Sequence, residues 1–169
     1  MVVIRCSDDD DTTFAVRGDT LVGADISHAN LHRATLTTAD LRRISAIETN
    51  LRGAYLDWTD LQGAVLKNSN LITAYASRAN FRGADLTGAR LRGAICEDSS
   101  FIGANLTDCE LDSGAFNRSN FCGAICLFRS YQGAQLKGAY YNEETIFPSG
   151  FKPEQYGMKR YSYPGVLDS

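Results

Sequence analysis

Every fifth residue from Leu21 to Leu136 belongs to one series with no insertion. Nineteen of its 24 positions are Leu, Ile or Phe, and the others are Ala46, Ala76, Cys96, Cys126 and Tyr131. Two residues before each centre, 14 of 24 positions are Ala and seven more are Ser, Thr, Cys or Gly. A self-similarity of this kind decides the architecture before any secondary-structure argument does.

A period of five fits neither regular element. On an α-helix each step of five rotates by about 140°, which scatters the large residues around the cylinder. On a strand it alternates faces. The pattern is satisfied when each pentapeptide forms one side of a coil and turns a corner, so that the large centre and the small residue before it both point inward.

The repeats Ala24-Asp25-Ile26, Ala29-Asn30-Leu31, Ala39-Asp40-Leu41, Ala84-Asp85-Leu86-Thr87-Gly88 and Ala104-Asn105-Leu106 resemble the A(D/N)LXX signature of the pentapeptide-repeat family. The resemblance covers roughly residues 19–140. It implies an all-β fold, a right-handed quadrilateral parallel β-helix in which four pentapeptides make one coil of twenty residues, with about six coils here.

Residues twenty apart then stack on one face. Leu21, Leu41, Leu61, Phe81, Phe101, Phe121 and Tyr141 form one such column, and Gly23, Gly63, Gly83, Gly103 and Gly123, interrupted by Arg43, form another that marks a corner. Phe116 is the outlier of its column, with Cys96 below it and Leu136 above. Proline is absent from residues 1–147 and appears at 148, 153 and 164, as expected where backbone N–H groups must bond the next coil.

An open solenoid end needs a cap. The chain therefore divides into an N-terminal cap (1–18), the repeat β-helix (19–141) and a C-terminal capping tail (142–169). Val2, Val3, Ile4, Phe14 and Val16 supply the first cap. Ile146, Phe147, Phe151, Tyr156, Met158, Tyr161 and Tyr163 supply the second, and this tail is expected to cover Ile125, Leu127 and Phe128. The stretch from Tyr141 to Pro153, with Gly157-Met158, also resembles the tail of cyanobacterial and plastid members.

Charge and cysteine usage narrow the function classes. The net charge is -3, and residues 21–140 carry eleven acids against twelve bases, so the body is near neutral and no nucleic-acid partner is expected. Five cysteines without a CxxC pair read as reduced core thiols: Cys96, Cys109 and Cys126 should point inward, with Cys122 outward. The first residues lack the apolar core and cleavage site of a secretory signal, and no apolar run approaches membrane-spanning length, which predicts a cytoplasmic protein.

Packing explains the centres and their small partners, so function must lie on the outward positions. The leading candidate is an aromatic ladder, in which Tyr55, Tyr75 and Ile95 share one outward position in successive coils with Trp58 close by. Tyrosine and tryptophan are enriched at protein interfaces, although Tyr rings on a flat face also stack simply as cross-strand pairs. The second candidate is basic, with Arg42, Arg43 and Arg82 on one side and Arg52, Arg90 and Arg92 on another, interleaved with acids that favour a solvated salt-bridge face.

His28 and His32 have no third ligand, and neither metal nor cofactor is expected. No nucleophile–base set, phosphate loop or paired carboxylate stands out, which predicts a non-enzyme. The reading is a scaffold for an unidentified protein partner, with the alternative, implied by the family resemblance, of a duplex-mimicking gyrase-binding protein of the quinolone-resistance type. Oligomeric state, monomer or dimer, stays open.

Overall fold

The computed structural model describes residues 2–6, 13–16 and 20–162, without the side chains of Val2, Thr13, Phe14 and Val16. Tyr163 and Pro164, and the side chains of Val2, Phe14 and Val16 assigned to the N-terminal cap, lie outside the described residues.

The local unit is a four-residue turn. Leu21 and Ala24 close one through the Ala24 N–H to Leu21 C=O bond of 3.1 Å, and the same bond recurs at Ala29 to Ile26 and Ala34 to Leu31. Its third residue has positive φ, the mark of a type II turn. Every fifth residue from Gly23 to Gly123 does so, with φ between 53° and 69°. The glycine column is therefore one instance of a rule that holds at all four corners of the coil. Thirteen of these positions are not glycine, and they include the β-branched Thr38 and Thr73.

The turn takes four of each five residues, which leaves one to bridge the neighbouring coil. Those bridges are parallel and join residues twenty apart, unbroken from Asp25↔Ser45 to Asn120↔Tyr140. Each is flanked by further bonds to the same neighbour: Leu31 N–H to Asn50 C=O (2.8 Å), Arg33 N–H to Arg52 C=O (2.9 Å) and Asn50 N–H to Ala29 C=O (2.9 Å) form one set. Continuous strands cannot develop on sides this short. Among the described residues they occur only at the ends, as an antiparallel hairpin of β1 (Val2–Arg5) with β2 (Thr13–Val16), and as a parallel pair of β3 (Tyr140–Tyr141) with β4 (Lys159–Arg160).

The centres and small residues face inward as the period requires. Phe81, Phe101 and Phe121 are fully buried and stack at 4.9 and 5.0 Å between centroids with nearly parallel planes. Phe116 fits beside them, at 6.0 Å and 60° to Phe101, because its small partner is Gly114. A Cβ at Gly114 would lie 2.5 Å from Phe116 Cε2 and 3.1 Å from the Leu111 carbonyl oxygen.

Hydroxyls at the small positions are buried but satisfied. Thr49, Thr59, Ser99 and Ser119 donate to the carbonyls of Ile26, Leu36, Ala76 and Cys96 in the coil below, at 2.6–2.9 Å. Cys96, Cys109 and Cys126 are buried as expected, and burial pushes the Cys109 thiol up to about 12 and raises the other two. Cys122 is half-buried rather than fully outward.

Both ends depart in detail from the sequence reading. At the start, Ile4 is buried and Val3 exposed, and the Arg5 carbonyl accepts from Thr35 N–H at 2.9 Å. Near the other end, the pentapeptide after Cys126 does not turn in the usual way: Phe128 lacks positive φ and is buried, so Arg129, nominally at the small inward position, points out. Phe128 then meets Tyr131 and Phe151 at 6.2 Å, as the capping expectation requires, but Leu127 stays 40% exposed and is not covered.

Phe151 is the keystone of that cap. It stacks on Tyr156 and Phe147 at 4.8 Å and meets Tyr131 edge-on at 5.2 Å, while Met158 is buried beside this set. Ile146 bridges Ile125 with a 21-residue offset, one more than the repeat spacing, and its side chain is 50% exposed; Tyr161 is also exposed. These two contribute backbone to the cap more than buried surface.

Gly114→Ala is expected to lower stability by about 1–3 kcal/mol through overpacking against Phe116. Urea unfolding of Gly114→Ala in wild-type and Phe116→Leu backgrounds checks this, because the loss should shrink once the ring is gone. An equal loss in both backgrounds would locate the cost in the backbone instead.

Candidate interaction surface

Two columns of outward residues build the leading candidate. The first is the bridging column Thr35, Tyr55, Tyr75, Ile95 and Ala115. Parallel bridges place the Tyr55 and Tyr75 rings in register, and they stack at 5.2 Å with planes 9° apart. Tyr75 is 41% exposed, Ile95 38%, and Tyr55 is half-buried beneath Tyr75. The Tyr rings thus stack as cross-coil pairs, and the Tyr75 edge and Ile95 remain open to solvent.

The second column occupies the left-handed turn position: Thr38, Trp58, Arg78, Asp98 and Arg118. A positive φ turns these side chains outward from the corner, and Trp58 is 58% exposed. The Arg78 guanidinium sits 4.7 Å from the Trp58 ring centroid, a cation–π contact. Above it, Arg118 grips Asp98 with two bonds of 2.8 and 2.9 Å and reaches Glu97 at 3.1 Å. The Arg118 hydrogen bonds hold the Asp98 carboxyl below its ordinary value, and the same pairing raises Arg118.

The basic candidate separates into satisfied and unsatisfied members. Arg42 binds Asp40 with two bonds of 2.8 and 2.7 Å and reaches Asp60 at 3.7 Å, and Arg90 lies 3.7 Å from Glu110. Among the described residues Arg43, Arg52, Arg82 and Arg92 have no carboxylate within 4.0 Å. The six are split between two sides that do not adjoin, so they form no single patch. Arg42 and Arg43 line a small hollow with Gln62 and Gly63, and Arg82 lies in another with Asn142 and Glu144.

One arginine, Arg52, joins the aromatic candidate instead. Around the corner from the tyrosine ladder, a shallow depression of about 290 Å³ is lined by His32, Arg33, Arg52, Tyr55 and Tyr75. The sequence reading treated the arginines and tyrosines as separate surfaces, and it missed Arg78. The signal was available in both cases: Arg78 is twenty residues from Trp58, and Arg52 is three residues before Tyr55.

His28 faces Glu48 across one coil at 3.3 Å. Among the described residues no group of three His, Cys, Asp or Glu side chains could hold a metal ion, and no helix is long and apolar enough to cross a membrane.

The comparisons with known proteins bear on the architecture. A family model described as pentapeptide repeats matches eight copies over residues 20–43, 49–88 and 84–123. A comparison with curated protein sequences finds no match. Among solved structures, the chain is similar to alr5209, a pentapeptide repeat protein from Nostoc PCC 7120, at 26% identity over 60% of this chain and 84% of that one, with a TM-score of 0.58. It is also similar to trypsin-treated QnrB1, a plasmid-mediated fluoroquinolone resistance protein, at 13% identity over 82% and 90% of the two chains, with a TM-score of 0.55. With the five-residue period, the left-handed turns and the twenty-residue bridges all in one chain, and the family match spanning more than half of it, this protein belongs to the pentapeptide-repeat family.

Proposed function

We propose that the chain is a right-handed quadrilateral β-helix of about six coils that serves as a non-catalytic scaffold for a protein partner in the cytoplasm. The observation that carries this reading is the exposure of Trp58, Tyr75 and Ile95 within the repeat body, with Arg78 over the Trp58 ring and Arg52 sharing a depression with Tyr55 and Tyr75; the other exposed large apolar side chains among the described residues lie toward the two ends, at Val3, Leu127, Tyr140, Ile146 and Tyr161. Exposed aromatics next to arginine are the composition of interface hot spots. The burial that raises the thiols of Cys96, Cys109 and Cys126 leaves them inert as nucleophiles, which supports a non-catalytic role.

The duplex-mimic reading comes second. The fold shared with QnrB1 supports the shape alone, while a near-neutral body with arginines on several columns opposes attraction to a DNA-binding cleft.

Replacing Tyr55, Trp58 and Tyr75 together by Ala should lower the unfolding free energy by about 1–3 kcal/mol through loss of the ring stack and the cation–π contact while leaving the fold intact, and abolish retention of a partner captured from the source cell. Unchanged retention would remove this face. Separately, gyrase supercoiling should proceed at its normal rate in the presence of the protein, and inhibition at stoichiometric concentration would put the duplex mimic first.

A further inference from the structure

The repeat ladder has a gap near its C-terminal end. In each complete rung, one residue of the next coil donates its N–H down to the small residue's carbonyl and accepts from the N–H of the centre. Gln135 does this to Gly114 (2.9 Å) and Phe116 (2.8 Å). One coil higher, the matching groups are the Ala134 carbonyl and the Leu136 N–H, and among the described residues neither has a hydrogen-bond partner.

The reason is visible in the tail. Twenty-residue spacing would place Gln155 over Gln135, but Gln155 sits in the 3₁₀ turn Pro153–Tyr156 and its N–H turns back to Lys152 C=O at 3.0 Å. The chain rejoins the ladder just afterwards, where the Gly157 carbonyl accepts from Gly138 N–H (2.8 Å) and Lys159 N–H donates to the Ala139 carbonyl (2.7 Å). Between these points an open cleft of about 780 Å³ lies over the vacant rung, walled by Leu136, Tyr156, Lys137 and Lys159. Lys137 and Lys159 are exposed and, among the described residues, within 4.0 Å of no carboxylate, whereas Arg118 at the same cleft is already held by Asp98 and Glu97.

We propose that this cleft, which lies at the C-terminal end of the two columns that carry the aromatic residues, takes an extended acidic segment of a partner protein as one added rung of the helix. The segment's backbone N–H donates to the Ala134 carbonyl, its carbonyl accepts from Leu136 N–H, and its carboxylates meet Lys137 and Lys159. An unpaired edge offers main-chain bonds to any strand, and the two lysines select the acidic one.

The test uses amide hydrogen exchange of the full chain with the acetylated, amidated pentapeptide Glu-Val-Glu-Val-Glu. In the free protein the Leu136 amide should exchange far faster than the Phe116 amide one rung below. Saturating peptide should slow it by about tenfold or more, as closure of a local hydrogen bond does. The same peptide N-methylated at every residue, and a Lys-Val analogue, should leave it unchanged, and Lys137→Glu with Lys159→Glu should weaken the protection by the Glu peptide. Leu136 as protected as Phe116 without peptide, no slowing by the Glu peptide, or equal slowing by the N-methylated one would each overturn the proposal.

Discussion

The N–H of the left-handed residue in each turn is the group on which the structure depends. Positive φ costs a non-glycine residue about 1–2 kcal/mol, and Thr38 and Thr73 are unfavourable choices even among those. The conformation persists because it aims that N–H along the rod, where it meets the next coil: His28 donates to the Ile47 carbonyl at 2.8 Å and Thr38 to the Asp57 carbonyl at 2.9 Å. Without that bond the turn would relax and the neighbouring coils would lose register. Strain in one coil is thus held by its successor, which makes the coils interdependent and gives the caps their importance.

Where this interlock is released, the chain changes character. Phe128 is the one residue of the turn series up to Gly138 without positive φ, and its ring goes inward to meet Phe151. A large apolar side chain at the turn position favours the bottom of the aromatic cap over solvent, by about 2 kcal/mol for a buried ring. The change is local, because Tyr131 resumes the series three residues later and the left-handed turn returns at Gly133 and Gly138.

The period, the inward set and the stacked phenylalanines were legible because they follow from one rule applied repeatedly. The exceptions required coordinates. Leu127 and Phe128 are adjacent apolar residues, and nothing in their spacing says that one is buried and the other 40% exposed; the choice is made by Phe151, which lies 23 residues later. Gly114 looks like one more small residue, and only the Phe116 ring reveals that no Cβ fits there. For the candidate surface, columns read at twenty-residue spacing located Tyr75 over Tyr55, whereas the depression that joins Arg52 to both rings spans a corner and so crosses columns.

A rigid ladder also fixes what the outer side chains can do. Residues in one column sit about 4.8 Å apart, close enough that each must be compatible with the one above. The column Trp58, Arg78, Asp98, Arg118 solves this as a chain of complementary neighbours, with a ring under a guanidinium and a carboxylate under a second guanidinium. The lower end leaves the indole 58% exposed and the upper end leaves Arg118 paired with two carboxylates. Because Arg78 covers only one face of the ring, the remaining indole surface, like the exposed edge of Tyr75 on the bridging column, is held in place without contributing to the core. Groups ordered in advance lose little entropy when a partner covers them, and that is the physical advantage of mounting them on a lattice whose spacing the backbone sets.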